Sequence, residues 1–164
     1  MPSSIPTLHL VCGKIAAGKS TLARHLANNP AAVMISEDYW LARLYPGRIN
    51  SIDDYLRCAG LLRDAMGDHV VSLLRSGLSI VLDFPANTPG QRQWMRQIFE
   101  AAGAAHELHY LDLPDEVCKA RLRQRNAEGA HDFAASDAEF DAITAYFKPP
   151  AADEGFNVTV YADR

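Results

Sequence analysis

Residues 13–20 read Gly-Lys-Ile-Ala-Ala-Gly-Lys-Ser, and their types and spacing suit the binding of phosphate groups. Gly13 and Gly18 allow the backbone to turn tightly and to approach phosphate oxygens without an intervening Cβ. The successive N–H groups of such a loop form a concave anion site, to which Lys19 adds a positive charge. Ser20 supplies a hydroxyl oxygen, the kind of ligand that Mg²⁺ prefers. The segment therefore predicts a phosphate-binding loop with an associated Mg²⁺.

The sequence on either side of this loop supplies the context that the pattern requires. Residues 8–12 are mostly apolar and strand-like, whereas residues 21–27 have the pattern of a helix. A helix that begins at the loop directs its first N–H groups at the phosphates. We expect the nucleotide to contact one continuous run of residues, namely Gly13, Lys14, Ile15, Ala16, Ala17, Gly18, Lys19, Ser20 and Thr21.

A carboxylate follows the most apolar run of the chain, because Asp83 comes directly after Ile80-Val81-Leu82. A carboxylate beside the phosphate loop can hold Mg²⁺ through water or orient Ser20, and we predict Ser20 and Asp83 as the metal-site residues. The alternative is a strand-end Asp that caps the next turn. Asn87 follows four residues later and either contacts the substrate or shapes the turn.

Two further acids, Glu37 and Asp38, follow the candidate strand at 32–35. A carboxylate near a γ-phosphate can accept the proton of an attacking hydroxyl, and we favour Asp38 for this role with Glu37 as its rival. The two acids could instead complement the dipole of a helix start. Tyr39 and Trp40 either wall an acceptor pocket or belong to the core, which is slightly favoured for Trp40. The weaker candidates for substrate contact are Glu37, Trp40 and Asn87.

Arginines alternate in the segment 118–126, where Arg121 and Arg125 fall on one face of a helix at i and i+4. Like charges this close repel unless an anion lies between them, and phosphates are the obvious anion. A lid that closes these arginines over the nucleotide would exclude water and neutralise transition-state charge. The alternative is a solvated basic helix face. The small and polar residues of 126–137, which include His131, form the candidate lid tip.

The rest of the chain alternates short apolar runs with longer segments of helical period. The short runs predict strands at 8–12, 32–35, 79–82, 107–111 and 158–161. The longer segments predict helices at 19–28, 51–75, 89–102, 115–126 and 136–147. Gly60 and Gly67 are positions where the second helix could bend or break. This alternation predicts an α/β fold with a parallel sheet covered by helices on both faces. Ligands bind such sheets at the carboxyl ends of the strands, which brings 13–20, 36–38 and 83–87 to one edge.

Length and composition narrow the possible classes of protein. A chain of 164 residues, 48% apolar and 22% charged, predicts a single nucleotide-binding domain over 1–164. No apolar run approaches the ~20 residues that cross a bilayer, and the first residues lack a signal-peptide pattern, so we expect a cytoplasmic protein without a membrane partner. The net charge of −4 disfavours a polynucleotide partner. The cysteines and histidines show no metal-ligand spacing.

Together these motifs resemble the small P-loop kinases that include phage-type polynucleotide 5′-hydroxyl kinase, chloramphenicol phosphotransferase and the zeta-toxin kinases. The shared elements are the phosphate loop at 13–20, the Ser-x-Asp at 36–38, the strand that ends in Asp83 and the arginine-rich helix at 121–125. The likeness is closest to bacterial ATP-binding P-loop kinase-like proteins whose ending is similar to residues 147–156. The resemblance implies a five-stranded sheet of order 2-3-1-4-5, a lid over roughly 121–137 and ATP with Mg²⁺ as cofactors.

The resemblance also implies roles for particular residues. Lys19 and Ser20 would bind nucleotide and Mg²⁺, Asp38 would be the general base, and the lid arginine would be one of the pair Arg121 and Arg125. Polynucleotide kinases of this group carry an Arg three residues after the base, where this chain has Leu41. This difference argues against a nucleic-acid end as the phosphate acceptor.

From these observations we expect an ATP-dependent kinase that transfers the γ-phosphate to a hydroxyl of a small molecule, such as an antibiotic, a nucleoside, a sugar or another metabolite. One alternative is a 5′-hydroxyl polynucleotide kinase. Another is a nucleotide-dependent switch or binding module with weak ATPase activity. The sequence leaves open the acceptor, the choice between ATP and GTP, and the oligomeric state.

Overall fold

The computed structural model of the protein describes residues 5–129 and 134–162. Its strands form one parallel sheet in the order β2-β3-β1-β4-β5, the order that the resemblance implied. The strands are β1 Thr7–Gly13, β2 Ala32–Ser36, β3 Ser79–Pro85, β4 Ala105–Leu111 and β5 Val158–Tyr161. The predicted strands are therefore confirmed, and all of them except β5 are longer than expected.

Helices connect the strands throughout the described residues. They are α1 Lys19–Leu26, α2 Glu37–Leu44, α3 Ile52–Arg75, α4 Pro89–Ala102, α5 Asp115–Glu128 and α6 Asp137–Thr144, with a 3₁₀ turn at Ala152–Glu154. The structure thus has the predicted α/β fold, with a parallel sheet and helical connections. Within the described residues, none of these helices combines the length and apolar character that crossing a membrane requires.

Helix α6 ends at Thr144, three residues earlier than predicted, and helices α2 and α3 decide points that the sequence left open. The segment around Glu37 and Asp38 forms a complete helix, α2, which begins where Ser36 Oγ accepts a hydrogen bond from the Tyr39 N–H. Helix α3 runs without a break through Gly60 and Gly67, because its apolar stripe from Cys58 to Leu74 is packed into the core on both sides of these glycines. The residues of this stripe are Cys58, Ala59, Leu62, Met66, Val70 and Leu74.

The core divides according to the two faces of the sheet, because successive side chains of a strand point in opposite directions. Leu8, Leu10 and Cys12 of β1 join the larger apolar cluster with α3 and α4. A smaller cluster packs α5 and α6 against the phosphate loop. Its members are Ala17, Leu113, Cys118, Leu122, Ala135 and Phe140. The smaller cluster therefore holds the phosphate loop in place and packs the arginine-bearing helix α5 against it.

A buried arginine fastens the C-terminal segment to the end of β3. The side chain of Arg92 on α4 is fully buried, and its guanidinium donates to the Glu154 carboxylate at 2.7 and 3.1 Å. It also donates to the carbonyl oxygens of Ala86 at 2.9 Å and Lys148 at 2.8 Å. These contacts hold residues 148–154 beside the loop that follows β3, which is part of the edge that carries the site.

Candidate active site

The phosphate loop leaves β1 and leads directly into α1. Ala16 and Gly18 have φ of 64° and 101°, in the left-handed region, which gives the loop its tight curvature. A Cβ on Gly13 would lie 3.2 Å from the Cβ atoms of Ala17 and Leu111, so only glycine fits there without displacement. Gly18 stands at the N-cap of α1 and has no side chain to cap it, so the first N–H groups of the helix are available to an anion.

Lys19 lies across this loop and contacts its backbone. Its Nζ donates to the carbonyl oxygens of Gly13 at 2.7 Å and Lys14 at 2.8 Å. Burial lowers the pKa of Lys19, and the negative charge of Asp83 opposes that shift. A phosphate placed over the loop would give the ammonium an anionic partner in place of neutral carbonyls.

Ser20 and Asp83 meet at the start of α1. Ser20 Oγ donates to Asp83 Oδ2 at 2.9 Å, so Asp83 contacts the loop serine rather than only its own turn. Burial raises the pKa of Asp83, and the hydrogen bond from Ser20 opposes that rise. A hydroxyl and a carboxylate oxygen side by side are hard donors, and they fit an octahedral Mg²⁺ that keeps several waters.

The acids at the start of α2 occupy different environments. Glu37 is only 3% exposed and accepts a hydrogen bond from the Tyr55 hydroxyl of α3. Burial raises the pKa of Glu37 to about 7, while the Tyr55 hydrogen bond opposes this rise. Asp38 is exposed, and its charge acts on Lys19 and Asp83. Because the two carboxyls lie in different environments, they suit different roles. The exposed Asp38 can exchange a proton with a substrate, whereas the buried Glu37 suits a structural role.

An open groove is lined by residues of α1, β2 and α2. It has a volume of about 350 Å³ and is lined by Arg24, Met34, Ser36, Tyr39 and Trp40. Trp40 is 38% exposed, so the slightly favoured assignment of its side chain to the core is wrong. The helix turns Leu41 to the core instead, which leaves the neighbouring tryptophan at the surface.

On α5, Arg121 and Arg125 lie on one face and Arg123 lies on another, as the i, i+4 spacing predicts. Arg121 Nη1 donates to the Ala17 carbonyl of the phosphate loop at 3.3 Å. Arg125 is partly buried, which lowers its pKa, and the charge of Asp38 opposes that shift. Its Nε has no hydrogen-bond partner among the described residues. Arg123 points elsewhere and pairs with Asp137 at the surface.

The side chains of the remaining loop residues point away from the anion site. Lys14 Nζ pairs with Asp115 Oδ1 at 2.6 Å and donates to the Leu113 carbonyl at 3.3 Å. Ile15 packs against the smaller apolar cluster, and Thr21 is exposed on α1. If these residues contact the nucleotide as predicted, they do so through their backbone groups.

Asn87 organises the turn after β3. Its Oδ1 accepts a hydrogen bond from the Gly13 N–H at 3.0 Å, and its N–H donates to Gln91 Oε1 at 2.9 Å. Its carbonyl oxygen accepts a hydrogen bond from the Lys148 N–H at 2.8 Å. These contacts fit the interpretation in which Asn87 shapes the turn, and they link that turn to the first residue of the phosphate loop.

The sequence interpretation missed Tyr55 and Arg92. Tyr55 follows the apolar spacing of α3, so nothing in the pattern marks its hydroxyl as the partner of Glu37. Arg92 lies between two other polar residues, Gln91 and Gln93, and its burial depends on a carboxylate 62 positions away. Long-range ion pairing of this kind leaves no periodic signal.

Comparisons with solved structures place the whole arrangement in a known fold. A putative kinase from Chloroflexus aurantiacus J-10-fl is 19% identical, with a TM-score of 0.77 over 97% of this chain and 89% of that one. The APS kinase CysC of Mycobacterium tuberculosis, solved with AMPPNP and APS, is 17% identical, with a TM-score of 0.63 over 98% and 90% of the two chains. A chain of the PezAT toxin–antitoxin system of Streptococcus pneumoniae is 15% identical, with a TM-score of 0.68 over 99% and 70%.

The curated proteins and the protein families give different results. No curated protein matches the sequence. The family model AAA_33, described as an AAA domain, matches residues 8–150, which include the phosphate loop, Asp38, Asp83 and the arginines of α5. The resemblance to P-loop kinases is therefore confirmed, and the protein belongs to the AAA domain family AAA_33, whose P-loop it carries in a kinase-like fold.

Proposed function

We propose that the protein is an ATP-dependent kinase that transfers the γ-phosphate to a hydroxyl of a small molecule. The observation that carries this proposal is the meeting of three groups at one edge of the sheet. They are the phosphate loop after β1, Asp83 at the end of β3 and Asp38 after β2. β2, β3 and β1 are neighbours in the sheet, so a donor phosphate and an attacking hydroxyl fit between these groups.

In the proposed mechanism, the oxygen of the acceptor hydroxyl attacks the γ-phosphorus while Asp38 takes the proton of that hydroxyl. A new O–P bond forms in line with the bond to the β–γ bridging oxygen, which breaks and releases ADP. Lys19 and the loop N–H groups stabilise the charge on the phosphate oxygens. Mg²⁺, which Ser20 and Asp83 would hold, neutralises phosphate charge when bound.

The arginines of α5 complete the proposed site as parts of a lid at about 121–137. Asn126 Nδ2 donates to the Ala135 carbonyl at 2.7 Å, which joins the end of α5 to the segment before α6. Residues 130–133, including His131 of the candidate tip, lie outside the described residues. Arg121 already contacts the loop, and the Nε of Arg125, which has no hydrogen-bond partner in 5–129 or 134–162, is suited to a phosphoryl oxygen.

Several features favour a small acceptor over a polynucleotide end. The net charge of −4 provides no broad attraction for a phosphate backbone. Leu41 is buried where polynucleotide kinases of this group have an arginine, and Arg43 stacks on the Tyr39 ring with its guanidinium 3.5 Å from the ring centroid. Tyr39 and Trp40, which follow Asp38 on α2, expose their rings, and exposed rings suit a compact, partly apolar acceptor.

The test is a screen of pooled metabolites and antibiotics with γ-labelled ATP, in which mass spectrometry detects the labelled product. Asp38→Asn should abolish transfer and leave ATP affinity nearly unchanged, because the exposed side chain loses its basicity and keeps its size. Asp64→Asn, an exposed acid on α3, is the matched control and should behave like the wild type. Normal turnover by the Asp38→Asn variant would overturn the assignment of the base.

The same screen distinguishes the alternative functions. Label transfer to 5′-hydroxyl oligonucleotides with salt-sensitive affinity would replace the small acceptor with a polynucleotide end. Slow ATP hydrolysis without any acceptor, together with a protein partner that binds in only one nucleotide state, would indicate a nucleotide-dependent switch instead of a kinase. We further propose that residues 1–164 act as one domain, since the site draws on elements from β1 to α5.

A further inference from the structure

Two histidines and a glutamate meet on the sheet away from the phosphate loop. His9 Nδ1 lies 3.0 Å from His109 Nε2, and Glu107 Oε2 lies 3.7 Å from the first nitrogen and 3.6 Å from the second. In the parallel pairing of β1 with β4, His9 is opposite Glu107 and Val11 is opposite His109. The two-residue period of a strand therefore puts all three side chains on one face.

The triangle formed by these three atoms has the size of a metal coordination site. Zinc lies about 2.0–2.1 Å from imidazole nitrogen and about 2.0–2.2 Å from carboxylate oxygen, so tetrahedral angles separate ligand atoms by about 3.4 Å. The observed edges of 3.0, 3.6 and 3.7 Å bracket this value. A single cation could bind all three atoms after small side-chain adjustments.

The cluster is incompletely satisfied by its own hydrogen bonds. One proton serves the contact between the two rings, which stack with centroids 5.3 Å apart. The contacts of Glu107 Oε2 with the rings, at 3.6 and 3.7 Å, are too long for hydrogen bonds. A cation would satisfy both nitrogens and the carboxylate at once.

Tyr161 on β5 supplies an orienting contact. Its hydroxyl lies 2.9 Å from His109 Nδ1, the ring nitrogen that faces away from the cluster. A histidine that ligates a metal through one nitrogen usually hydrogen-bonds through the other, which fixes the tautomer and the ring orientation. In the tautomer whose Nδ1–H donates to the Tyr161 oxygen, the Nε2 lone pair of His109 faces the cluster.

The exposure of the three side chains suits a site that a cation can enter. His109 is 4% exposed and His9 18%, whereas Glu107 is 44% exposed and lies on the solvent side. Water can therefore take the fourth coordination position beside Glu107.

We propose that His9, Glu107 and His109 bind Zn²⁺ in a site that joins β1 to β4. Two nitrogen ligands and one carboxylate suit a borderline cation such as Zn²⁺ better than Mg²⁺, which prefers oxygen ligands alone. His9 precedes Gly13 by four residues, so the site lies roughly 13 Å along the strand from the phosphate loop. It is therefore separate from the Ser20 and Asp83 pair.

The test uses the full chain after removal of metals, titrated with Zn²⁺ against a chromogenic chelator in excess Mg²⁺. The wild type should bind one equivalent of Zn²⁺, and Zn²⁺ should raise its melting temperature. Co²⁺ in place of Zn²⁺ should give the intense visible bands of a tetrahedral site. Retention of no Zn²⁺ by the wild type against the chelator would overturn the proposal.

Variants identify the ligands and separate them from other residues. His9→Asn and Glu107→Gln should each weaken Zn²⁺ binding by more than tenfold, and Tyr161→Phe should weaken it by about 10- to 100-fold. His25→Asn, an exposed histidine on α1, and Asp83→Asn should keep the wild-type affinity. Melting temperatures of the metal-free variants establish that each still folds, and Glu107, the most exposed ligand, is the least disruptive to replace. Wild-type affinity in both His9→Asn and Glu107→Gln would show that Zn²⁺ binds elsewhere.

Discussion

Ser20 Oγ donates a hydrogen bond of 2.9 Å to Asp83 Oδ2, although 63 positions separate the two residues in the chain. The bond joins the first turn of α1 to the carboxyl end of β3 across neighbouring strands of the sheet. It places a hydroxyl and a carboxylate oxygen beside the phosphate loop, the position that a nucleotide-bound Mg²⁺ requires.

Replacement of Asp83 should show whether the Ser20–Asp83 pair holds Mg²⁺, because ATP binding should then lose part of its dependence on Mg²⁺. Asp83→Asn keeps the shape of the side chain and can still accept the Ser20 hydrogen bond, but it removes the negative charge. We expect ATP affinity in Mg²⁺ to fall by about 10- to 100-fold, as for the loss of a residue that supports a metal ligand. Affinity measured in EDTA should change less, and equal losses with and without Mg²⁺ would contradict the metal role.

The buried carboxyl of Glu37 should make the protein less stable as the pH rises. Its pKa of about 7 in the folded state exceeds the ordinary 4.5, so the folded state holds the proton over this interval while the unfolded state releases it. Stability from this group is present below pH 4.5 and is lost as the pH rises towards 7 and above. The whole change amounts to roughly 3 kcal/mol at about 1.4 kcal/mol per pH unit.

Urea unfolding at pH 5 and pH 8 measures this effect. Glu37→Gln should be more stable than the wild type at pH 8, with a difference that shrinks at pH 5. Tyr55→Phe should instead be less stable at pH 8 by about 1–3 kcal/mol, because it leaves the buried carboxylate without its donor. Glu100→Gln, an exposed acid on α4, is the control. An unchanged difference between the two pH values would exclude Glu37 as the titrating group.

Removal of the partner of Arg92 should destabilise the whole C-terminal segment. Glu154→Ala leaves the fully buried guanidinium without its carboxylate, and we expect a loss of about 3–5 kcal/mol in the free energy of unfolding. The double variant Arg92→Met with Glu154→Ala should recover part of that loss, because no charge then remains buried. Arg57→Met, at an exposed ion pair, should cost less than about 1 kcal/mol. Additive losses in the double variant would show that the two residues do not act as a pair.

The arginines of α5 should differ in their effect on turnover. Arg125→Met should lower kcat for the proposed transfer by on the order of 10²- to 10³-fold, the usual cost of one donor to transition-state charge. ATP affinity should change much less. Arg123→Met is the matched control on the same helix, since Arg123 pairs with Asp137 at the surface. Equal effects of the two substitutions on kcat would show that Arg125 stabilises the helix and does not act on the transition state.

Sequence periodicity predicted the elements whose signals are local. The glycines of the phosphate loop, the apolar strands and the stripe of α3 each follow from backbone geometry and a period of two or 3.6 residues. The i, i+4 spacing likewise separated Arg121 and Arg125 from Arg123. Trp40 was predicted wrongly because α2 turns Leu41, rather than its neighbour, towards the core. The orientation of a short helix depends on what packs beneath it.

The sequence by itself determined that this chain binds phosphate in a P-loop at the end of a strand in an α/β fold, because glycine placement and apolar periodicity act over a few residues. Only the tertiary structure decided that Asp83 reaches Ser20, that Tyr55 covers Glu37 and that His9, Glu107 and His109 form one cluster. The first and last of these relationships depend on strand order and register, which bring together residues as many as 100 positions apart, whereas Tyr55 meets Glu37 through the packing of α3 against α2. Such pairings follow from the packing of the whole sheet and leave no trace in local spacing.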